Sequence, residues 1–221
     1  MSAVPLVVIG AGGFGREVHD VIEAINDAAA TTGQPELECV GFLADGHADV
    51  ELIEERGVPF LGPVAGLTSL PADVRYVIGI GNGAARRRID AWATAEGRET
   101  MSPLIHPTAV LSRHRVTMGP GSIVCAHVVV STNVRLGRHV HLNLAVTIGH
   151  DAWFGDYVTL SPHVAISGHA VLEDDVTMGT ASTVIDRRRI GTRTIVGAGA
   201  AVVRDLPPDV TAVGVPARPL G

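Results

Sequence analysis

The sequence predicts two successive units, an α/β domain built on a parallel sheet and an all-β parallel β-helix. Two observations predict this fold class. Residues 1–104 alternate strand-like apolar stretches with helical stretches, and residues 105–221 contain a long series, from Met118 to Val202, with an apolar residue at every sixth position. A chain of 221 residues is long enough for both units.

The first unit begins with a strand, a glycine turn and a helix. Residues 5–9 are apolar, residues 10–15 read Gly-Ala-Gly-Gly-Phe-Gly, and a helical pattern follows from residue 16 to about 30. Further strands are predicted at 37–43 and 74–80, with a helix at 84–96 and a short fourth strand at 101–105. Strands that alternate with helices form a parallel sheet, whose ligand crevice lies at the carboxyl ends of the strands.

The glycine turn has the spacing G-x-G-x-x-G at Gly10, Gly12 and Gly15. Between a strand and a helix, this Rossmann-like turn lets a phosphate approach backbone N–H groups at the helix N-terminus. The unit is too short for two complete mononucleotide-binding halves, so the pattern favours a nucleotide or nucleotide sugar over a dinucleotide. A purely structural turn stays open.

Three polar residues fall at the same predicted edge of the sheet. Asp45 is a candidate for contacts to ribose or base, and Asn82 with Arg86 is a candidate pair for base and phosphate. A strand-end Asp or Asn is about as often a helix cap or a turn former. Their shared edge is the reason to prefer substrate binding.

The second unit is defined by a repeat of six residues. At 46% apolar content, a chance series of this length has a probability on the order of one in a hundred thousand. We expect each hexad to form a short strand and a corner, and three hexads to close a coil, so that residue n stacks on n+18 in five coils. The apolar anchors point inward, and glycine after many anchors permits a tight corner. The anchors are Met118, Val124, Val130, Leu136, Leu142, Ile148, Phe154, Leu160, Ile166, Leu172, Met178, Val184, Ile190, Val196 and Val202.

Composition excludes several classes of partner. The net charge of −6 and the lack of a long basic run argue against nucleic acid and anionic membranes. Cys39 and Cys125 have no metal-type or redox-type spacing, which favours a reduced, cytoplasmic protein. We expect neither a signal peptide nor a membrane span.

Chemistry on a β-helix must come from outward polar residues, and histidine is abundant in this one. His150 with Asp151 is the preferred candidate pair, because it follows a corner glycine and places a carboxylate beside a potential general base. Zinc binding, as in γ-class carbonic anhydrases, requires converging histidines. In the n+18 register no two histidines of the clean repeat superpose, so we expect no metal; convergence at a subunit interface and a purely structural solenoid stay open.

Several segments carry a resemblance that spans the whole chain. The sequence resembles hexapeptide-repeat, left-handed β-helix sugar acyltransferases of the sialic acid O-acetyltransferase (NeuD) and PglD/PerB type, which include N-acetyltransferases of nucleotide-linked 4-amino-4,6-dideoxy sugars. The segments are Gly-Ala-Gly-Gly-Phe-Gly-Arg-Glu at 10–17, Ile-Gly-Asn at 80–82, Ile-His-Pro-Thr-Ala at 105–109, Ile-Gly-His-Asp at 148–151, Leu-Ser-Pro at 160–162, Ile-Ser-Gly at 166–168, Val-Gly-Ala-Gly-Ala at 196–200 and Gly-Val-Pro-Ala-Arg at 214–218.

The resemblance implies a homotrimer with intersubunit active sites, acetyl-CoA as acyl donor and a UDP-, GDP- or dTDP-linked amino sugar as acceptor. The implied catalytic residues are His150, Asp151 and Asn143. The implied CoA contacts are Gly168, Thr180 and Ala198, and the implied nucleotide contacts are Gly10, Gly12, Gly13, Asp45 and Asn82. Some relatives carry Glu at the position of Asp151, and some carry a second histidine at the position of Thr159.

The expected reaction is direct attack of the sugar amine on the thioester, with His150 as general base and Asp151 stabilising the imidazolium. Cys125 has no neighbour in sequence that would activate it as a nucleophile. The alternatives are O-acetylation of a sialic acid or related sugar, a non-catalytic nucleotide-sugar-binding scaffold, and a metal-dependent hydratase.

Overall fold

The computed structural model describes residues 3–32, 36–46 and 48–220. The chain divides into two compact units, Met1–Pro107 and Thr108–Gly221. Among the described residues, no helix combines the length and the apolar composition needed to cross a membrane.

The first unit is built on a parallel sheet in the order β2-β1-β3. Its central strand is covered on both faces, because Leu6, Val7, Val8 and Ile9 are all inaccessible to solvent. The predicted fourth strand shrinks to two residues outside this sheet. The elements are β1 (Val4–Ile9), α1 (Gly13–Thr32), β2 (Leu37–Leu43), α2 (Val50–Glu54), a 3-10 helix (Val64–Ser69), β3 (Arg75–Ile78), α3 (Gly83–Ala95) and β4 (Leu104–Ile105).

The glycine turn brings α1 unusually close to the sheet. A Cβ atom on Gly15 would lie 1.9 Å from the carbonyl oxygen of Gly10, and one on Gly79 would lie 2.8 Å from the Cα of Gly15. No side chain fits in these gaps. The third glycine of the motif therefore allows the helix to start directly against the strands.

The second unit is a parallel β-solenoid of strands of two or three residues on three faces. The first face contains β7, β10, β13, β16, β19 and β21, the second β5, β8, β11, β14, β17 and β20, and the third β6, β9, β12, β15 and β18. The strands are β5 (Val110–Leu111), β6 (Thr117–Met118), β7 (Ile123–Val124), β8 (Val129–Val130), β9 (Arg135–Leu136), β10 (His141–Leu142), β11 (Thr147–Ile148), β12 (Trp153–Phe154), β13 (Thr159–Leu160), β14 (Ala165–Ile166), β15 (Val171–Leu172), β16 (Thr177–Met178), β17 (Thr183–Val184), β18 (Arg189–Ile190), β19 (Ile195–Val196), β20 (Ala201–Val202), β21 (Thr211–Val213) and β22 (Arg218–Pro219).

The predicted register is confirmed through the body of the solenoid. Thr147 pairs with Ala165 and Trp153 with Val171, each eighteen residues on, and the anchors from Val124 to Val202 are buried. The second face has six strands, so the prediction of five coils is one too few. Val110 pairs with Val129, nineteen residues on. This extra residue moves the first coil out of the six-residue frame and hides it from the count.

The corners differ from the prediction in their mechanism. Every sixth residue from Arg115 to Gly199 has a φ between 51° and 73°, and most of these residues are not glycine. The glycines after the anchors serve close packing instead: a Cβ on Gly149 would lie 2.7 Å from the backbone nitrogen of Gly168. The left-handed corner conformation therefore falls on residues with side chains, which project outward in columns eighteen residues apart.

Candidate active site

The first unit carries a cleft of about 510 Å³ at the carboxyl ends of its three strands. Gly10, Gly12, Gly13 and Asp45 all line it, as predicted from the sequence. A Cβ on Gly12 or Gly13 would meet nothing within 4 Å, so the turn is open to the cleft. Because α1 starts at Gly13, the N–H groups of its first turn and its positive dipole end suit a phosphate.

A second cavity of about 300 Å³ adjoins this cleft, and Asp45 and Arg88 line both. Trp92 adds an aromatic wall. One carboxylate oxygen of Asp45 accepts a hydrogen bond from the backbone nitrogen of Val64 at 2.8 Å, while its side chain stays exposed. Together the two cavities offer a phosphate-binding turn and an aromatic surface for a base.

Asn82 and Arg86 do not line the cleft. The Oδ1 of Asn82 accepts a hydrogen bond from the backbone nitrogen of Ala85 at 2.8 Å, which caps α3. Arg86 is completely buried, and its guanidinium donates to the carbonyl oxygens of Ile80 and Gly81 at 2.8 and 3.0 Å. Arg86 therefore braces the loop before α3, and the predicted phosphate contact does not fit its position. Arg88 is the arginine of this helix that reaches the cleft.

The predicted catalytic pair lies on the solenoid edge between the second and third faces. The Nδ1 of His150 is 2.8 Å from Oδ2 of Asp151, and Nδ2 of Asn133 donates to Oδ1 of Asp151 at 3.1 Å. The hydrogen bonds from His150 and then from Asn133 hold the pKa of Asp151 below its ordinary value. The carboxylate thus stays ionised and orients the imidazole, which leaves Nε2 as the candidate proton acceptor.

Gly168 provides the surface on which the imidazole rests. A Cβ at Gly168 would lie 2.7 Å from Cε1 and 2.8 Å from Nε2 of His150. Only glycine at this position leaves the ring in its observed place. The structure therefore gives Gly168 contact with the predicted general base.

His169 completes the cluster, and the sequence analysis missed it as a site residue. Its Nε2 lies 3.7 Å from Oδ2 of Asp151, and its ring centroid is 5.2 Å from that of His150 at an angle of 89°. The sequence does indicate this contact, because residue 169 is eighteen positions after Asp151 and both belong to the column of left-handed corner residues. A comparison of histidines with one another does not reveal this relation, because the residue in register with His169 is the acidic neighbour of His150.

These three residues could also hold a metal ion. His150, Asp151 and His169 each offer one ligand atom, and the three atoms lie within 4.8 Å of one another. Two imidazoles and a carboxylate suit zinc. The inference that the histidines stay apart is wrong for His150 and His169, because rings one position out of register still meet across the coil spacing.

Comparison with known proteins places the whole chain in one family. Residues 5–92 match the PglD N-terminal domain. GDP-perosamine N-acetyltransferase from Escherichia coli O157:H7 is 29% identical over 220 residues, covering 96% of this chain and 94% of that protein. PerB from Caulobacter crescentus, crystallised with CoA and GDP-perosamine, is 31% identical with a TM-score of 0.82, over 98% of this chain and 97% of PerB. The acetyltransferase domain of PglB from Neisseria gonorrhoeae FA1090, crystallised with acetyl coenzyme A, is 33% identical with a TM-score of 0.81, over 99% of this chain and 100% of that domain.

The chain belongs to the PglD- and PerB-type hexapeptide-repeat acetyltransferases. The left-handed β-helix predicted from the resemblance is confirmed with the family. In this acetyltransferase, the remaining predicted residues lie on a different edge from His150. Asn143 follows β10, Thr180 follows β16 and Ala198 follows β19, so all three occupy the edge between the first and second faces. The full width of the second face separates the predicted base from these positions within one chain.

Proposed function

We propose that this chain is an acetyl-CoA-dependent N-acetyltransferase that acts on the amino group of a nucleotide-linked amino-dideoxy sugar. The exposed His150–Asp151 pair carries the proposal, because Asn133 and Gly168 fix its geometry from both sides. The complexes of PerB with CoA and GDP-perosamine and of the PglB domain with acetyl coenzyme A support this choice of substrates.

In the proposed reaction, Nε2 of His150 removes a proton from the sugar amine as its nitrogen attacks the thioester carbonyl carbon. The carbon–sulfur bond then breaks, and the departing thiolate takes the proton from the imidazolium. Asp151 stabilises the imidazolium between these two transfers. Cys125 is 2% exposed and lies away from this edge, so it is not placed to form an acyl-enzyme. The proposed transfer is therefore direct.

We further propose a homotrimer with sites between subunits. The second face separates the His150 edge from the edge with Asn143, Thr180 and Ala198, so self-association across this face would bring the two edges of neighbouring chains together. Its outward residues are uncharged, and its first two are 62% and 43% exposed. They are Val110, Val129, Thr147, Ala165, Thr183 and Ala201. Both cysteines are free thiols, in keeping with a cytoplasmic location.

The deciding experiment measures CoA release from acetyl-CoA against UDP-, GDP- and dTDP-linked 4-amino sugars and free sialic acid. We expect turnover with one nucleotide amino sugar, reduced by a factor of about 100 or more in His150→Ala. Turnover confined to sialic acid would establish O-acetylation instead. Nucleotide-sugar binding without CoA release from any acceptor would indicate a scaffold.

Subunit mixing tests the intersubunit site. His150→Ala and Asn143→Ala chains, each impaired alone, should regain activity when they are refolded together, because a mixed trimer contains interfaces with both native residues. Failure to recover activity in trimers shown by mass to be mixed would place each site within one chain.

A further inference from the structure

The first unit buries a charged side chain to which the proposed reaction gives no role. Arg86 is completely inaccessible to solvent, and Asp90, one turn later on α3, is 3% exposed. Burying a guanidinium group is costly unless hydrogen bonds replace its water. An apolar side chain would fill the same space without that cost. The hydrogen bonds of the guanidinium, and not its volume alone, therefore call for an explanation.

These hydrogen bonds go to the backbone of the nucleotide cleft. Nη1 of Arg86 donates to the carbonyl oxygen of Ile80 at 2.8 Å and to that of Gly81 at 3.0 Å. Residues 79–81 all line the cleft, whereas Arg86 does not. In a trans peptide the N–H points opposite to the preceding carbonyl, so the N–H groups of Gly81 and Asn82 are directed away from the guanidinium. Arg86 thus holds and orients this segment from outside the cleft.

The 79–81 segment is also packed against the glycine turn, backbone to backbone. The backbone nitrogen of Gly79 donates to the carbonyl oxygen of Ile9 at 2.8 Å. A Cβ on Gly10 would lie 2.6 Å from the carbonyl oxygen of Gly79, and one on Gly79 would lie 2.8 Å from the Cα of Gly15. No flexible side chain lies between the two segments to absorb a movement. A shift of residues 79–81 would therefore displace the turn that is suited to a phosphate.

The helix that carries Arg86 has a second buried polar tie, which does not involve the cleft. The hydroxyl of Tyr76 donates to Oδ1 of Asp90 at 2.6 Å, and this bond joins α3 to the body of β3. The tie to Tyr76 serves the docking of the helix, while the bonds from Arg86 serve the 79–81 segment. The two can be removed separately, which gives a matched control for loss of stability.

We propose that Arg86 is a positioning residue for nucleotide binding: its guanidinium fixes residues 79–81 and, through them, the glycine turn in the conformation that receives the nucleotide of the acceptor. The inference rests on the proposed function. Arg86 acts through the backbone and does not touch the ligand, unlike Arg88, which lines the cleft. Its loss should weaken binding of the acceptor and leave binding of acetyl-CoA and the chemical step unchanged.

Calorimetric titration of the full chain with UDP, GDP and dTDP tests the positioning role. We expect at least one of these to bind, and its Kd to rise about tenfold or more in Arg86→Met. Arg86→Lys keeps the charge on a shorter side chain without the planar fork, so a smaller rise of about threefold is expected. Tyr76→Phe should lower the melting temperature but leave Kd within about twofold.

The Lys variant keeps the test decisive if the Met variant does not fold. A native Kd in either Arg86 variant shown by circular dichroism to be folded would overturn the proposal. So would an equal rise in Tyr76→Phe, or a wild-type chain that binds none of the three diphosphates.

Steady-state kinetics separate failure of this inference from failure of the proposed function. In Arg86→Lys, KM for the acceptor should rise by the same factor as Kd, while kcat and KM for acetyl-CoA stay within about twofold. A fall in kcat with a native acceptor KM would refute the positioning role and leave the acetyltransferase standing. Nucleotide binding that depends on Arg86 in a protein that acetylates no acceptor would refute the proposed function and leave the positioning role standing.

Discussion

Gly168→Ala is expected to disable the catalytic pair without unfolding the solenoid. The new Cβ would lie 2.7 Å from Cε1 of His150, where ordinary contact begins at 3.4 Å, so the ring must withdraw by about 0.7 Å. The side chain of His150 is 56% exposed and has room to move. A displacement of this size pulls Nδ1 from its 2.8 Å contact with Asp151. We expect kcat to fall about 10- to 100-fold, or about 1.4–2.7 kcal/mol in activation free energy.

Gly149→Ala provides the matched comparison on the same edge. Its Cβ would also meet an atom at 2.7 Å, but this atom is the backbone nitrogen of Gly168, which cannot swing aside. Gly149→Ala should therefore lose about 1–3 kcal/mol of unfolding free energy, whereas Gly168→Ala should keep a near-native melting temperature. Thiol release from acetyl-CoA and thermal unfolding measure the two effects. Full kcat in Gly168→Ala with a raised KM for acetyl-CoA would refute the positioning role and leave only contact with the acyl donor.

The remaining predictions concern protons, metal and the glycine turn. Asn133→Ala should raise the pKa of Asp151 toward its ordinary 3.8. In the native protein, the stabilisation from the lowered pKa is complete above pH 3.8 and is lost as the pH falls through the lower pKa of the folded state. An unchanged titration of this carboxyl group by NMR would contradict the prediction. Zn²⁺ should inhibit reversibly at micromolar concentrations through His150, Asp151 and His169. EDTA should restore the activity, and equal inhibition of His169→Ala would argue against this site. Gly15→Ala should lower the free energy of unfolding by about 1–3 kcal/mol, since its Cβ meets a carbonyl oxygen at 1.9 Å; an unchanged urea midpoint of the helical circular dichroism signal would contradict the packing argument.

The solenoid could be predicted in detail because one physical requirement repeats. Each anchor must be apolar to face the core, so Ile148 and Ile166 reveal both the period and the stacking without any long-range information. The left-handed corners could not be predicted in this way. Tyr157 and Ala181 adopt φ near 60° although neither residue type favours it. Stacked coils impose that conformation on whichever residue occupies the position.

The part of the site that depends on residues adjacent in sequence could also be predicted. His150 and Asp151 are neighbours in sequence, so their contact required only a corner between them. Arg86 was misplaced because its position on α3 turns it inward, and three consecutive arginines give no indication of which one is buried. His169 was missed because its relation to Asp151 is a stacking relation, visible only when side chains of unlike type are compared across coils.

The constant offset of eighteen residues fixes the spacing of side chains along the axis of the solenoid. A change of one residue can be absorbed at a corner, as in the nineteen-residue step from Val110 to Val129, but the height of the solenoid changes only by whole turns. Each added turn lifts everything above it by about 4.8 Å. The separation along the axis between His150 and Thr180 is therefore set in discrete steps. An insertion of one turn between them would move the proposed acyl-donor contact at Thr180 away from the proposed base by roughly the thickness of a strand, so we expect this segment to tolerate substitution far better than any change in length.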